Sequence, residues 1–247
     1  MLANDKSCKP YLVLGRSNSR PRCMRGQLPR QNDTLILGAL PAMADSVLLL
    51  QVLLSGSAVN LRSVAEVIRG DVGLTIQLLR LASLQQGERR TIEASVTKNV
   101  VHAGIDKLLT LVTEIEPLSS HPRGRAGLRE CEQFWGHARL TALMAEELAY
   151  KTMYHDAEEA YVAGLLFHIG ELPSILGWQW KFADAEPREI AGRLAREWRL
   201  PTLLENVACG DDLSPSSSCP LLELVRTADE QARRIQGLVA KFARGVF

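Results

Sequence analysis

Apolar residues recur at helical spacing along most of the chain from about residue 35 onward. In the stretch LRSVAEVIRG the apolar positions are three or four residues apart, which places them on one face of a helix. These positions are Leu61, Val64, Ala65 and Ile68. Gly70 is expected to end this helix, and Asp71 is suited to cap the next one, VGLTIQLLRLAS. The pattern therefore predicts a tight corner between two helices.

The second half of the chain shows the same periodicity in longer segments. Helices are predicted over residues 128–154, 155–172 and 221–243, and no alternating strand pattern of useful length occurs. The stretch SSHPRGRAG has the Ser, Pro and Gly content of a connector between lobes. The sequence therefore predicts an all-α fold of two packed helical lobes, at about 35–118 and about 129–240.

Residues 1–34 differ from the rest, because they lack helical periodicity and contain Gly and Pro breaks. They are basic: Lys6, Lys9, Arg16, Arg20, Arg22, Arg25 and Arg30 stand against Asp5 and Asp33. We interpret this segment as a basic N-terminal arm or linker. A solvated tail and an arm that touches phosphates are both compatible with this composition.

Composition excludes several classes of function. The 247 residues carry a formal net charge of +1, so no overall field attracts nucleic acid or an anionic membrane. The longest aliphatic run, residues 47–54, is too short to cross a bilayer. No secretory signal opens the chain, so a cytoplasmic location without membrane contact is expected.

Local chemistry motifs are also scarce. The five cysteines are scattered and form no C-x-x-C pair, so they are interpreted as buried or incidental thiols. No G-x-S-x-G, P-loop or G-x-G-x-x-G turn is present, and no cofactor is expected. The acidic pairs Glu146–Glu147 and Glu158–Glu159 are interpreted as solvated helix-face residues. His155–Asp156 is interpreted as a helix start, with Asp156 as N-cap and Glu159 at N3.

Seven ordered segments between about residues 35 and 235 carry a family resemblance. They are ALPAMADSVLLLQVLLS, NLRSVAEVIRGDVGLTIQLLRLAS, TIEASVTKNVVHAGIDKLLTLV, FWGHARLTALMAEELA, EEAYVAGLLFHIGEL, REWRLP and LLELVRTADEQA. In this order they resemble the HDOD family, the HD-related output domains of bacterial signalling proteins. The resemblance implies an HD-like helical bundle over residues 35–240 that acts by contacting other signalling proteins rather than by catalysis.

The same resemblance locates the positions of a metal site. Catalytic HD phosphohydrolases use a histidine, then a His-Asp dipeptide, then a distant aspartate. His137 matches the first ligand and Asp229 the last, whereas Phe167 and His168 stand at the His-Asp dipeptide. A phenyl ring offers no ligand atom and a neutral imidazole offers no negative charge. The resemblance therefore implies a vestigial site with no metal and no catalytic residue.

Two structures are open for these side chains. A shift of one residue along a continuous helix turns a side chain by about 100°, which would carry His168 away from the site. His137, His168 and Asp229 could instead meet, either as a hydrogen-bonded polar cluster or as a three-ligand metal site. The polar cluster is the simpler interpretation.

Three functional hypotheses follow. The first is a non-catalytic regulatory or protein-interaction domain, for which Trp178 and Trp180 are candidate surface residues, although partial burial is equally compatible with them. The second is a metal-dependent phosphohydrolase acting on a cyclic dinucleotide or nucleotide phosphate. The third is a DNA-binding regulator that uses the helix after Gly70, which is disfavoured because that helix is mostly apolar. A homo-oligomer is compatible with all three.

Overall fold

The fold is known from a computed structural model, which describes residues 11–12, 40–86, 93–118, 124–180, 185–210 and 219–243. The predicted all-α fold is confirmed, and the strands among these residues are two parallel-paired dipeptides. The elements are β1 (Tyr11–Leu12), α1 (Ala44–Ser55), α2 (Leu61–Arg69), α3 (Val72–Gln86), α4 (Val96–Ala103), α5 (Ile105–Glu114), α6 (Gly124–Thr152), α7 (Ala157–Leu165), a 3-10 turn (Ile169–Glu171), α8 (Leu172–Ile175), β2 (Gln179–Trp180), α9 (Pro187–Glu197), α10 (Thr202–Cys209) and α11 (Pro220–Ala243). Apart from Tyr11–Leu12, the predicted N-terminal arm lies outside the described residues.

The N-terminal lobe is built around the predicted helix corner. The Asn60 side chain caps α2 by accepting from the backbone of Arg62 and Ser63, and α2 ends at Gly70. Asp71 then caps α3, because its Oδ1 accepts a hydrogen bond from Leu74 N at 3.0 Å. The corner between α2 and α3 is confirmed. Leu74, Ile76, Leu78 and Leu79 of α3 are buried in the core of this lobe, whereas Leu84 near the end of the helix is exposed.

The C-terminal lobe is organised by the long helix α6, which packs against α7 and α11. Gly164 of α7 lies so close to α6 that an added Cβ would be 3.0 Å from Ala142 Cα and from Ala145 Cβ. Small residues at this crossing bring the helix axes together. The crossing positions the end of α7 beside the middle of α6.

Charged side chains join the two lobes. Arg69 of α2 is 2.8 Å from Glu146 Oε1 of α6, and its guanidinium lies 3.8 Å from the centroid of the Tyr161 ring. Glu158 of α7 accepts from Ser95 Oγ at 2.6 Å and from Thr97 N at 2.9 Å, at the start of α4. The prediction of solvated helix faces is therefore wrong for Glu146 and Glu158, which act as contacts between lobes. It is also wrong for Glu159, whose side chain is 17% exposed and accepts from the Tyr154 hydroxyl at 2.7 Å.

The described helices include none with the length and apolar character needed to span a bilayer. The predicted connector, residues 119–127, is described only from Gly124, where α6 begins.

Candidate functional site

The segment that carries the candidate dipeptide is not a continuous helix. The helix predicted over residues 155–172 ends at Leu165, and residues 166–168 form a turn before the 3-10 turn of Ile169–Glu171. Gly170 lies against the backbone carbonyl of Pro187 at the start of α9, with no room for a Cβ. The chain therefore bends here so that the 3-10 turn can pack on α9, and the predicted length of this helix is wrong.

This bend decides where His168 lies. Because the regular helix has already ended, the rotation of about 100° per residue does not carry His168 away from the site. Its Nε2 is 2.9 Å from Asp229 Oδ1 of α11, and His137 Nε2 of α6 is 2.8 Å from the same oxygen. The two imidazole rings are 5.2 Å apart between centroids. Three of the four predicted site positions thus meet at one carboxylate oxygen.

Asp229 is the centre of a larger set of polar contacts. Its second oxygen, Oδ2, accepts from Arg233 Nε at 3.0 Å, one helical turn further along α11. The outer nitrogens of the imidazoles are also engaged: His137 Nδ1 is 3.0 Å from Gln236 Oε1, and His168 Nδ1 is 3.1 Å from Glu171 Oε1. Sequence reasoning missed Arg233, Gln236 and Glu171. Arg233 and Gln236 follow Asp229 at i+4 and i+7, the spacing that would have placed them on the same helix face.

The contacts of His168 determine its protonation. Both ring nitrogens face carboxylate oxygens, which only accept hydrogen bonds, so both nitrogens must carry protons to donate. Burial by itself lowers the pKa of His168, but the hydrogen bonds to Asp229 and Glu171 exceed that effect and raise it to about 9. His168 is therefore an imidazolium at neutral pH. Its side chain is only 13% exposed, so this positive charge lies largely inside the protein.

The two carboxylates respond in the opposite direction. Burial alone would raise the pKa of Asp229, but hydrogen bonds from His137, His168 and Arg233 hold it well below its usual range. The hydrogen bond from His168 likewise lowers the pKa of Glu171. Both groups are ionised at neutral pH, and the cluster is a network of alternating charges.

Phe167 closes one side of this network without joining it. Its ring packs edge-on against His168, with centroids 4.9 Å apart and planes at 72°. Both residues line a cavity of about 320 Å³, together with charged residues from the neighbouring elements. These are Glu171, Glu186, Arg188, Asp229 and Arg233. The position that would hold a ligand imidazole in an HD site therefore presents an apolar ring to the cavity.

The cluster can also be tested as a metal site. One ligand atom each from His137, His168 and Asp229 lies within 4.8 Å of the others, so three ligands could reach one ion. Two imidazoles and a carboxylate are a donor set that zinc accepts, with the fourth position open. Binding would require His168 to lose a proton and the ion to compete with Arg233 for Asp229.

Other residues singled out by the sequence lie elsewhere. Trp178 is half-buried against the core, which agrees with the partial-burial alternative, and the side chain of Trp180 lies outside the described residues. Asp156 caps α7 as predicted, accepting from Glu159 N at 3.0 Å. On α3, the helix of the DNA-binding hypothesis, Thr75 is fully buried and donates to Ile68 O. The Thr75 face of α3 therefore cannot enter a DNA groove, whereas Gln77 is half-buried and Arg80 is exposed on the same helix.

The two-lobe helical fold, with its polar cluster between α6, the α7 turn and α11, is of the HD-like type. The HDOD domain family matches residues 40–185, more than half of the chain. The chain belongs to the HDOD family. His137, Phe167 and His168 lie inside the matched range, and Asp229 follows it.

Two structures of one response regulator share the fold at low sequence identity. The MmoQ response regulator of Methylococcus capsulatus is 20% identical, with 79% of this chain and 87% of that chain covered and a TM-score of 0.59. A second structure of MmoQ, fragment 20–298, is 18% identical over 80% of this chain and 83% of that one, with a TM-score of 0.58. A virulence factor of Campylobacter jejuni is 15% identical over 84% and 88%, with a TM-score of 0.49. A search of curated proteins finds no significant match.

Proposed function

We propose that this HDOD chain is a non-catalytic regulatory domain of bacterial signal transduction that acts by binding signalling proteins. In this proposal the cluster of His137, His168 and Asp229 is a structural network rather than a catalytic centre. The observation that carries the proposal is the engagement of both oxygens of Asp229 by protein donors, two imidazoles on one and Arg233 on the other.

The charge of His168 is the first argument against metal binding. A metal ligand must offer a lone pair, and an imidazolium between two carboxylates has none to offer. At pH 7, removing a proton from a group whose pKa is about 9 costs roughly two pKa steps, or about a hundredfold in metal affinity. The protonation of His168 therefore lowers the affinity of this cluster for a metal ion.

The missing carboxylate is the second argument. Metal-assisted hydrolysis needs an ion that both lowers the pKa of a bound water and polarises a phosphoryl oxygen. Among the four HD positions only Asp229 is an acid, and its charge is already balanced by Arg233 at 3.0 Å. Phe167 contributes neither charge nor ligand. The four HD positions therefore supply one anionic ligand, where a hard divalent ion prefers several.

The signalling setting is supported by family membership and by the fold shared with a response regulator. HDOD domains resemble the catalytic HD fold while serving as output domains, so retention of the fold does not require retention of the chemistry. An HD-like fold whose metal-ligand positions are altered therefore supports a role in protein interaction.

The test compares metal content and turnover in three purified proteins. These are the unaltered chain, Phe167→His/His168→Asp, which rewrites the dipeptide to the HD pattern, and the same double variant with His137→Ala. After incubation with manganese, iron or zinc and gel filtration, we expect no stoichiometric metal in the unaltered chain, metal in the double variant, and loss of that metal in the triple variant. The double variant controls for the competence of the fold to present ligands.

Catalysis and partner binding complete the test. The unaltered chain is screened against cyclic dinucleotides and nucleotide phosphates, and used as bait with extract of its source. We expect no turnover and a stable signalling partner. Stoichiometric metal lost in His137→Ala together with turnover, and no stable partner, would contradict the proposal.

A second candidate function is a phosphohydrolase with a single metal ion. It is favoured by one observation, the mutual proximity of three ligand atoms within 4.8 Å. His137, His168 and Asp229 would hold the ion, which would supply an activated water when bound. Glu171 would then hold the Nδ1 proton of His168, as outer partners of metal-bound histidines do. Metal content that rises with pH, as His168 loses its proton, distinguishes this candidate from the structural network.

A further inference from the structure

Helix α11 carries an apolar stripe at alternating spacings of four and three residues. We name it the α11 seam: Leu221, Val225, Ala228, Ala232, Ile235, Val239 and Phe242. A repeat of seven residues with two apolar positions is the pattern of helices that pack lengthwise against other helices. The seam continues without interruption along the 24 residues of the helix.

In the part of the chain that the structure describes, only the first half of this seam is buried. Val225, Ala228 and Ala232 are completely buried in the C-terminal lobe. From Arg233 onward every described side chain is exposed, and Val239 is 62% and Ile235 37% exposed. Leu238 beside the seam is 55% exposed and widens the apolar surface. The same stripe thus passes from core to solvent within one helical turn.

We propose that a second copy of this chain covers the exposed half of the α11 seam, with the two α11 helices packed lengthwise around a two-fold axis. Two apolar positions in every seven residues form a narrow stripe, which is the pattern that a second helix fills when it packs lengthwise. The contact continues the intramolecular packing of α6 on α11, so the same stripe serves inside and between subunits.

The charges beside the seam favour the same chain as partner. The positions that flank the exposed half are Gln231, Gln236 and Leu238, none of them charged. The basic residues Arg233, Arg234 and Lys241 lie at positions that point away from the seam in this repeat. Two copies can therefore pair without like charges meeting, whereas a partner chosen by opposite charge would need charged flanks. In an antiparallel pair, Leu238 of each copy approaches its counterpart.

The contact is small, and its size sets the expected strength. About two to three helical turns bury less than the roughly 1,200 Å² typical of stable complexes, so the dimer is expected to be weak and to depend on concentration. One contact relates this surface to the cluster of His137, His168 and Asp229. Gln236, next to Ile235, accepts from His137 Nδ1, so the exposed half begins directly beside that cluster.

The experiment is sedimentation velocity of the full chain over a concentration series up to about 0.5 mM, where weak association is visible. We expect the mass to rise from 27.3 kDa toward twice that value. Val239→Glu and Leu238→Glu should each weaken association at least about tenfold. Val52→Glu is the matched control, because Val52 is also 62% exposed and lies on α1 in the other lobe.

Circular dichroism of each variant establishes that it folds, which is expected because all three substituted positions are exposed. An unaltered chain that stays at 27.3 kDa at every concentration overturns the proposal and leaves the seam to another segment or another protein. Equal loss of association in Val52→Glu and Val239→Glu also overturns it. A dimer that persists in both Val239→Glu and Leu238→Glu has a different interface, and this result would also overturn the proposal.

Discussion

Each lobe has a buried aspartate at its centre, and the two differ in what donates to them. Asp71 is fully buried and accepts from backbone N–H groups, Leu74 N at 3.0 Å and Met43 N at 2.8 Å. Asp229 is 9% exposed and accepts from side chains, two imidazoles and a guanidinium. The first carboxylate joins chain segments, whereas the second joins ionisable groups.

The pKa values of the two carboxyls move in opposite directions. Burial raises the pKa of Asp71, and the backbone donors offset this only in part. Burial acts the same way on Asp229, but donors that carry positive charge reverse the result and lower its pKa. Backbone N–H dipoles favour the charged form of Asp71 less than burial disfavours it, whereas the donors of Asp229 outweigh its burial. Asp71 therefore joins backbone segments of the architecture, whereas the Asp229 cluster changes its charge at alkaline pH, where His168 loses its proton.

The largest effect is expected from Asp71→Ala. This change removes the acceptor of the buried Leu74 N–H and of the partly buried Met43 N–H, at up to about 1–3 kcal/mol for each group. We expect a loss of about 3 kcal/mol in the free energy of unfolding, measured in urea at pH 7. Asp156→Ala is the control, because Asp156 caps α7 through one partly buried bond and typically costs about 1 kcal/mol. Equal losses in the two variants would contradict the architectural role of Asp71.

A smaller loss is expected from Asp229→Asn, which keeps the shape and removes the charge. Hydrogen bonds to charged groups contribute about 1.5–3 kcal/mol, and the amide retains some of them, so we expect a loss of about 2 kcal/mol at pH 7. The pKa of His168, followed by NMR, should fall from about 9 toward the ordinary 6.5. Arg233→Ala is the control. Because that side chain is 59% exposed and its ion pair with Asp229 is screened by solvent, we expect a smaller loss of stability than in Asp229→Asn. An unchanged pKa of His168 in Asp229→Asn would mean that Asp229 does not hold its proton.

The sequence predicted the role of Asp71 more completely than the contacts of Asp229. Gly70 followed by Asp71 is a local signal, since a helix end and an N-cap depend on neighbouring residues. The same is true of the cap at Asp156. The all-α fold followed from periodicity, and the family resemblance predicted which positions meet at the cluster.

The sequence did not predict the path of the chain at His168. The apolar pattern through residue 172 continues a helical period, and the end of α7 at Leu165 depends on the close approach of Gly170 to Pro187, a contact between distant segments. For the same reason the roles of Glu146 and Glu158 were missed, because their partners Arg69 and Ser95 belong to the other lobe. Local patterns carry no information on such long-range contacts.

The third prediction uses alkaline pH to distinguish the Asp229 cluster from Asp71 in their effects on stability. His168 has a folded pKa of about 9 against a usual value of 6.5, so its contribution to stability is complete below pH 6.5 and is lost as pH rises through about 9. We expect the unaltered chain to lose no more than about 3 kcal/mol over this window, measured by urea unfolding at each pH. His168→Gln should remove this slope, while Asp71→Ala should keep it. If the dependence of the unfolding free energy on pH is unchanged in His168→Gln, then a group other than His168 causes it.

The smallest effect is expected from Glu171→Gln. Glu171 is 3.1 Å from His168 Nδ1 and its side chain is 46% exposed, so solvent screens much of its charge. We expect less than about 1 kcal/mol of lost stability at pH 7. The amide oxygen can still accept from Nδ1, but the negative charge is gone. The pKa of His168 should therefore fall, and by less than in Asp229→Asn, because Glu171 is the more exposed of its two partners. NMR titration of His168 in both variants measures this order, and a larger fall in Glu171→Gln would place the dominant anion at the rim of the cluster instead of at its buried centre.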